Sequence, residues 1–362
     1  MSTSKRKLDH IRICLERKVE AECHPFEDIQ LIHRALPETD FSEIETGCTF
    51  LGTTIQAPIM ISAMTGGHRD ALEINRNLAL AAQELGLPMG VGSQRAALEN
   101  PALEDTFSVV REAAPDVPLI GNIGAVQIRR LGPQVVEQVA EMIDADAVAV
   151  HLNFLQEAVQ PEGETDGTGV LEAIKSASSS KIPIMVKETG AGIGREDAAT
   201  LFSAGVRTID VAGLGGTSWS GVEAYRAEER GDDESRLMGQ LFFSWGLPTP
   251  VCIVECQANG AQIISSGGIR SGIDVARSLA LGASLAGTAL PMLQPASQDW
   301  QSVVKMLKAY IRALKISMFL TGNRTISDLR GSPVLILGQC REILEQRGIN
   351  TKNFTLKREL SR

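Results

Sequence analysis

The chain has 362 residues, 43% of them hydrophobic, with 44 acidic against 35 basic side chains and a formal net charge of −9. That balance disfavours a general nucleic-acid binder, and no apolar run approaches the roughly 18 residues that a membrane helix needs. The opening Met1-Ser-Thr-Ser-Lys-Arg-Lys7 leads into no apolar core, so no secretory signal is read and a cytoplasmic protein is expected. The six cysteines, at 14, 23, 48, 252, 256 and 340, form no Cys-x-x-Cys pair, which argues against a zinc site or a disulfide framework.

Residues 1–50 read as an N-terminal extension, helical from about Lys5 to Glu22, too short for a core of its own and so packed on the barrel. From there to residue 345 eight short apolar runs recur, at 58–63, 88–91, 118–122, 147–150, 184–187, 207–211, 262–265 and 284–287. Stretches of helical periodicity separate most of them, which predicts parallel strands with crossover helices. The clearest helices are 70–85, closed by Gly86, one opened by Asn100-Pro101, one from Pro133 to Ile143, and 273–281. Eight such units predict an α/β fold, a (β/α)8 TIM barrel over 51–345, with all strand ends on one rim. The step from the sixth strand to the seventh is long and carries a charged insertion at 220–246, either a lid or partner-contact element or a disordered loop. Residues 346–362 read as a basic, weakly ordered tail.

Each apolar run breaks into polar or glycine residues, and these are the candidate site. The first ends in Ala63-Met64-Thr65-Gly66-Gly67, which could meet a planar ring edge or make a plain tight turn. The second leads to Ser93 and Arg95, a hydroxyl and a guanidinium suited to phosphate. Asn122 ends the third, and His151 and Asn153 follow the fourth on one face. Gln156, Glu157, Gln160, Glu162 and Glu164 come next, and Glu162 in its Pro/Gly loop could hold a hard cation or stand solvated. Lys187 ends the fifth strand and needs a negative partner, for which an anionic reduced flavin edge is suitable. Thr217 lies in the glycine-rich segment after the sixth strand; Gly267, Gly268 and Arg270 follow the seventh, and Gly287 and Ala289 the eighth. Glycine turns on the last two strands are a common phosphate cup in barrels, so FMN fits better than a sugar phosphate.

Together the motifs resemble the type 2, flavin-dependent isopentenyl diphosphate isomerase family. They are Arg6-Lys-Leu-Asp-His10, Ala63-Met-Thr-Gly-Gly67, Gly92-Ser-Gln-Arg95, Gly121-Asn-Ile-Gly124, His151-Leu-Asn-Phe-Leu-Gln-Glu157, Gln160-Pro-Glu-Gly163, Lys187-Glu-Thr-Gly190, Gly215-Gly-Thr-Ser-Trp219 and Ser266-Gly-Gly-Ile-Arg270. The resemblance implies FMN, Mg²⁺ and a flavin kept reduced by NADPH. It implies flavin contacts from Ala63, Met64, Thr65, Ser93, Asn122, Lys187, Thr217, Gly267, Gly268, Arg270, Ala289 and Leu290. Arg6, Lys7, Ser93, Arg95 and Gln160 would bind the substrate, an isoprenyl diphosphate. His151, Asn153 and Gln160 would stand at the reacting carbons, with Glu162 on Mg²⁺. The family implies a homo-oligomer, tetramer or octamer, in isoprenoid precursor biosynthesis, with no nucleic-acid or membrane partner. Glu164 stands where the family usually has Asp, and the residues after it lack the usual aromatic.

Two other readings compete. One is an FMN oxidoreductase of the 2-hydroxy acid oxidase or inosine monophosphate dehydrogenase type. The first would want a histidine late in the barrel, but none follows His151; the second would want a rim cysteine, but none lies between Cys48 and Cys252. The other is a non-catalytic flavin-binding protein, which leaves Arg6, Lys7 and Gln160-Pro-Glu162 unexplained.

Overall fold

All eight expected strands form, and they close on one another. In the computed structural model, which describes residues 3–257 and 260–356, the barrel strands are β1 (Ile59–Ile61), β2 (Met89–Gly90), β3 (Leu119–Gly124), β4 (Ala147–His151), β5 (Ile184–Lys187), β6 (Thr208–Asp210), β7 (Gln262–Ser265) and β8 (Leu285–Thr288). Each pairs in parallel with its chain neighbours, and β8 pairs with β1 to complete the ring. The strands are almost wholly buried, as expected where helices cover their outer faces.

The crossover helices include Ala71–Leu85, Asp105–Ala113, Val135–Ile143, Gly272–Leu281 and Trp300–Leu320. Their apolar stripes meet the outward strand residues in one continuous core. Gly86 ends the first at φ 60°, a left-handed cap that glycine adopts without steric cost. Asn100 opens a short 3-10 turn instead of a helix, accepting from the Ala102 amide, and the helix proper starts at Asp105.

Inside the barrel a smaller cluster unites Met60, Ile120, Ala147, Met185 and Leu285 with Phe50 and Ile55. The last two belong to an antiparallel hairpin, Cys48–Phe50 with Thr53–Ile55, that the apolar pattern of the sequence does not reveal. Ala147 and Leu285 begin their strands, so this hairpin plugs the end of the barrel where the strands start. The opposite rim is left open.

From the N-terminal segment Ile11, Phe26, Ile29 and Ile44 join the main core. Its helix α1 (Thr3–Glu16) stops earlier than the sequence suggests. Beyond it the chain turns extended and pairs with the rim, Glu20 bridging to Thr217. The 220–246 insertion is ordered, not a loose loop: α2 (Trp219–Arg230) and α3 (Asp233–Leu241) form a helical pair, with Gly231 at φ 68° capping the first. The C-terminal segment is firmer than a weakly ordered tail. Thr351–Phe354 makes a 3-10 turn with Phe354 in the core, while 357–362 lie outside the described residues.

Candidate active site

The open rim holds a cavity of about 230 Å³. Most of the expected flavin and substrate residues line it: Ala63 to Thr65, Ser93, Arg95, Asn122, His151, Asn153, Lys187, Thr217, Gly267, Gly268, Arg270, Ala289 and Leu290. Arg6 and Lys7 reach it from α1. Gln160 and Glu162 stand behind the lining.

The glycine turns differ from the expectation in one respect. Gly287 lies within β8 and makes no turn; a Cβ there would stand 2.2 Å from Ser62 Oγ. The partner of the Gly267-Gly268 turn is instead the segment after β6. Gly268 has φ 87°, and a Cβ on it would come within 2.7 Å of the Gly215 carbonyl oxygen. Ala212, at φ 36°, starts that second segment in a left-handed conformation costly for a residue with a side chain. The two turns lie back to back, and the Thr249 hydroxyl reaches the Gly267 carbonyl at 2.7 Å and the Leu214 carbonyl at 3.3 Å. Beside them Arg270 donates from Nε to Glu20 at 2.5 Å and from Nη1 to the Ile269 carbonyl at 3.2 Å. Among the described residues its Nη2 is buried without a partner, as is Ser62 Oγ. A buried unpaired guanidinium nitrogen next to a side-chain-free cradle fits an anionic phosphate.

Strand register aligns Gly124, His151, Lys187 and Asp210 across four neighbouring strands. Lys187 Nζ donates to its neighbour's carbonyl, Glu188 O, at 2.6 Å. Glu188 Oε2 accepts from the amides of Thr189, Gly190, Ala191 and Gly192, which fixes the loop beyond. His151 Nδ1 lies 2.8 Å from Asn122 Oδ1, while Asn122 Nδ2 donates to Val91 O at 3.0 Å. The amide is thereby oriented, so Nδ1 carries the imidazole proton and Nε2 is an acceptor. Burial, with Lys187, Lys7 and Arg6 nearby, drives the His151 pKa down to about 3, so the ring is neutral at ordinary pH.

A second, cationic region lies at the mouth. Arg6, Lys7, His10, Ile11 and Cys14 all line the cavity, a single helical face of α1. Lys7 Nζ donates to Ser93 O at 2.5 Å and stands 5.2 Å from the centre of the Phe107 ring. Burial and the adjacent Arg6 charge bring its pKa down to about 7. Arg95 is held by Glu99 at 2.7 Å and by Glu164 at 3.2 Å, so Glu164 is a scaffold for this arginine. Cys14, pushed up to about 12 by burial, is no nucleophile.

Behind the lining runs a hydrogen-bonded network. Asn153 Nδ2 donates to Glu157 Oε1 at 2.9 Å, and Gln160 Nε2 donates to Glu157 Oε2 at 2.6 Å. The Gln160 carbonyl faces Arg6 at 3.4 Å. Gln156 donates to Glu223 Oε1 at 3.0 Å, and His10 Nε2 meets the same oxygen at 2.8 Å. Arg226, its side chain 2% exposed, pairs with Glu223 and with Glu162 Oε1, the latter at 2.7 Å. Burial alone would raise the Glu223 carboxyl, but the His10 bond and the Arg226 charge hold it at about 2.

Glu162 thus joins the network through one oxygen; the other meets Arg230 at 3.5 Å. Among the described residues no group of three or more His, Cys, Asp or Glu side chains could hold a metal. A cation here would take Glu162 Oε2 as its protein ligand, which suits one completed by phosphate and water.

His10, Trp219 edge-on to it at 5.1 Å on the cavity wall, Glu223 and Arg226 do not stand out individually in the sequence. The signals are present: Arg6 to His10 is one helical turn, and Glu223 to Arg226 is an i,i+3 pair.

A closed parallel barrel whose rim pairs a glycine cradle with a cationic mouth is the architecture of a flavin-barrel enzyme. The chain matches the FMN-dependent dehydrogenase family over residues 10–115 and 130–335. A solved mandelate oxidase with (S)-2-phenylpropionate superposes at a TM-score of 0.63 and 17% identity, covering 92% of this chain and 97% of that one, a likeness of fold alone. More specific are an isopentenyl-diphosphate delta-isomerase of Methanothrix thermoacetophila, 63% identical over 99% of this chain and 100% of the relative, and one of Methanosarcina mazei, 51% identical over 98% of each. The chain belongs to the type 2 isopentenyl-diphosphate delta-isomerase family, and it is an enzyme.

Proposed function

We propose that this enzyme converts isopentenyl diphosphate to dimethylallyl diphosphate, with FMN in the inner part of the cavity and the substrate at its mouth. The observation that carries the reading is the pairing of two separate anion sites in one cavity. The Gly267-Gly268 turn with the unpaired Arg270 Nη2 suits the single phosphate of FMN. Arg6, Lys7 and Arg95 at the mouth suit a diphosphate.

Moving the double bond adds a proton at the terminal methylene and removes one from the allylic methylene next to the branched alkene carbon, with no net change of oxidation level. Bound reduced flavin supplies an acid–base group in a dry site, and NADPH serves only to keep it reduced. Lys187 would face the anionic edge of the ring, with Ala63 to Thr65, Asn122 and Thr217 around it and Ala289 and Leu290 beside it. His151, neutral and with Nε2 as acceptor, cannot donate a proton from that atom to an alkene; it orients and excludes water. Asn153 is fixed by Glu157, so its amide holds position at the reacting end, and Gln160, behind the lining, links Glu157 to Arg6. Glu162 Oε2 would hold Mg²⁺, which neutralises diphosphate charge. The enzyme would work as a homo-oligomer, and the exposed Leu237, Leu241 and Trp245 on and after α3 support an apolar contact between copies.

The oxidoreductase alternative loses ground on chemistry: Cys14 on the cavity has its thiol pushed up, and no histidine follows His151. Replacing Arg6 and Lys7 together by Ala tests the mouth. KM for isopentenyl diphosphate is expected to rise at least about a hundredfold, since two charge-assisted contacts are lost, while the protein still takes up FMN. An unchanged KM would remove the diphosphate from this end.

A further inference from the structure

Between α1 and the rest of its extension the chain crosses directly over the glycine cradle. Ser218 N donates to Val19 O at 2.7 Å and Ala21 N to Gly216 O at 2.9 Å, so Val19 to Ala21 extend the rim as a short antiparallel strap. In the middle of that strap Glu20 takes Arg270 Nε at 2.5 Å. With Nη1 already on the Ile269 carbonyl, two of the three guanidinium nitrogens are fixed and the plane of the fork is set. The third, Nη2, is left buried and unpaired beside the cradle. A guanidinium binds a phosphate well only when its planar fork is correctly aimed, and an arginine side chain has many rotamers to lose.

We propose that Glu20 is a positioning residue for the cofactor: it aims Arg270 at the phosphate of FMN and thereby ties cofactor binding to the seating of α1. The strap that carries Glu20 continues directly into α1, whose face supplies Arg6 and Lys7 to the same cavity. Occupying the cup therefore stabilises the Glu20–Arg270 contact, and that contact holds the substrate clamp in place. By linkage, a seated clamp raises affinity for the phosphate in equal measure. The Glu20 side chain is 40% exposed, so its repulsion of a bound phosphate is screened and the orienting effect dominates.

This inference rests on the FMN reading, and the test separates the two by comparing FMN with riboflavin, which has the ring but no phosphate. Flavin-free protein, wild type and Glu20→Ala, is titrated with each ligand by fluorescence. Wild type is expected to bind FMN much more tightly than riboflavin. Glu20→Ala is expected to lose about tenfold in FMN affinity, the value of a well-aimed charged hydrogen bond, with riboflavin affinity unchanged. Trypsin supplies a second readout at the exposed Arg17 and Lys18. FMN should protect this site in wild type more than riboflavin does, and that difference should vanish in Glu20→Ala. A variant that keeps full FMN affinity, or loses both ligands equally, overturns the positioning role. If wild type binds both flavins alike, the phosphate cup itself is wrong and the inference falls with it.

Discussion

Lys7 is the residue whose ionisation reports most directly on the mouth of the site. Its ordinary pKa is above 10, and burial with Arg6 beside it brings this to about 7. The ammonium is therefore fully charged only below that value, and the free enzyme loses it as pH rises through neutrality. Since kcat/KM reports groups of the free enzyme, it is expected to fall on the alkaline side of about pH 7. Lys7→Arg keeps its charge throughout and should flatten that limb; an alkaline limb unchanged in the variant assigns it to another group. His151 contributes no limb near neutrality, because its ring is already neutral well below that range.

At the scale of elements, the hairpin of α2 and α3 does what its charge pattern hides. The run 223–236 reads in sequence as part of a charged lid or partner-contact element or a disordered loop, yet Glu223 and Arg226 are turned inward and almost fully buried. What distinguishes them is partners distant in sequence, His10 on α1 and Glu162 after β4, which periodicity cannot show. The barrel strands are legible for the opposite reason: each is a local apolar run, and burial on both faces needs no distant information. Removing Arg226 leaves Asp9, Glu162 and Glu223 without the cation they share. Arg226→Ala is expected to lower unfolding stability by about 3 kcal/mol, measured by urea titration. A loss below about 1 kcal/mol would mean that the network adds little beyond surface pairing.

For the molecule as a whole, the site depends on segments far outside the βα repeat. Ile29–Leu31 pairs with Val334–Ile336, joining the N-terminal extension to the segment after the last barrel strand, and the hairpin at Cys48–Ile55 plugs the end of the barrel opposite the site. These strands have 3 residues each, too short to carry an alternation signal, and the first pairing spans most of the chain. The candidate site is legible where family motifs stand at strand ends; the strap at Val19 to Ala21 is not, because it has no motif and its partners are backbone groups on the rim. The measurement that bears most directly on the proposed reaction is an anaerobic incubation of the FMN-loaded enzyme with isopentenyl diphosphate, Mg²⁺ and a small amount of NADPH. Product is followed by proton NMR and NADPH by its absorbance. Dimethylallyl diphosphate is expected to accumulate over many turnovers for each NADPH oxidised. Oxidation of NADPH in step with substrate, or flavin-loaded enzyme that forms no dimethylallyl diphosphate, would contradict an isomerase and return the site to oxidoreductase chemistry.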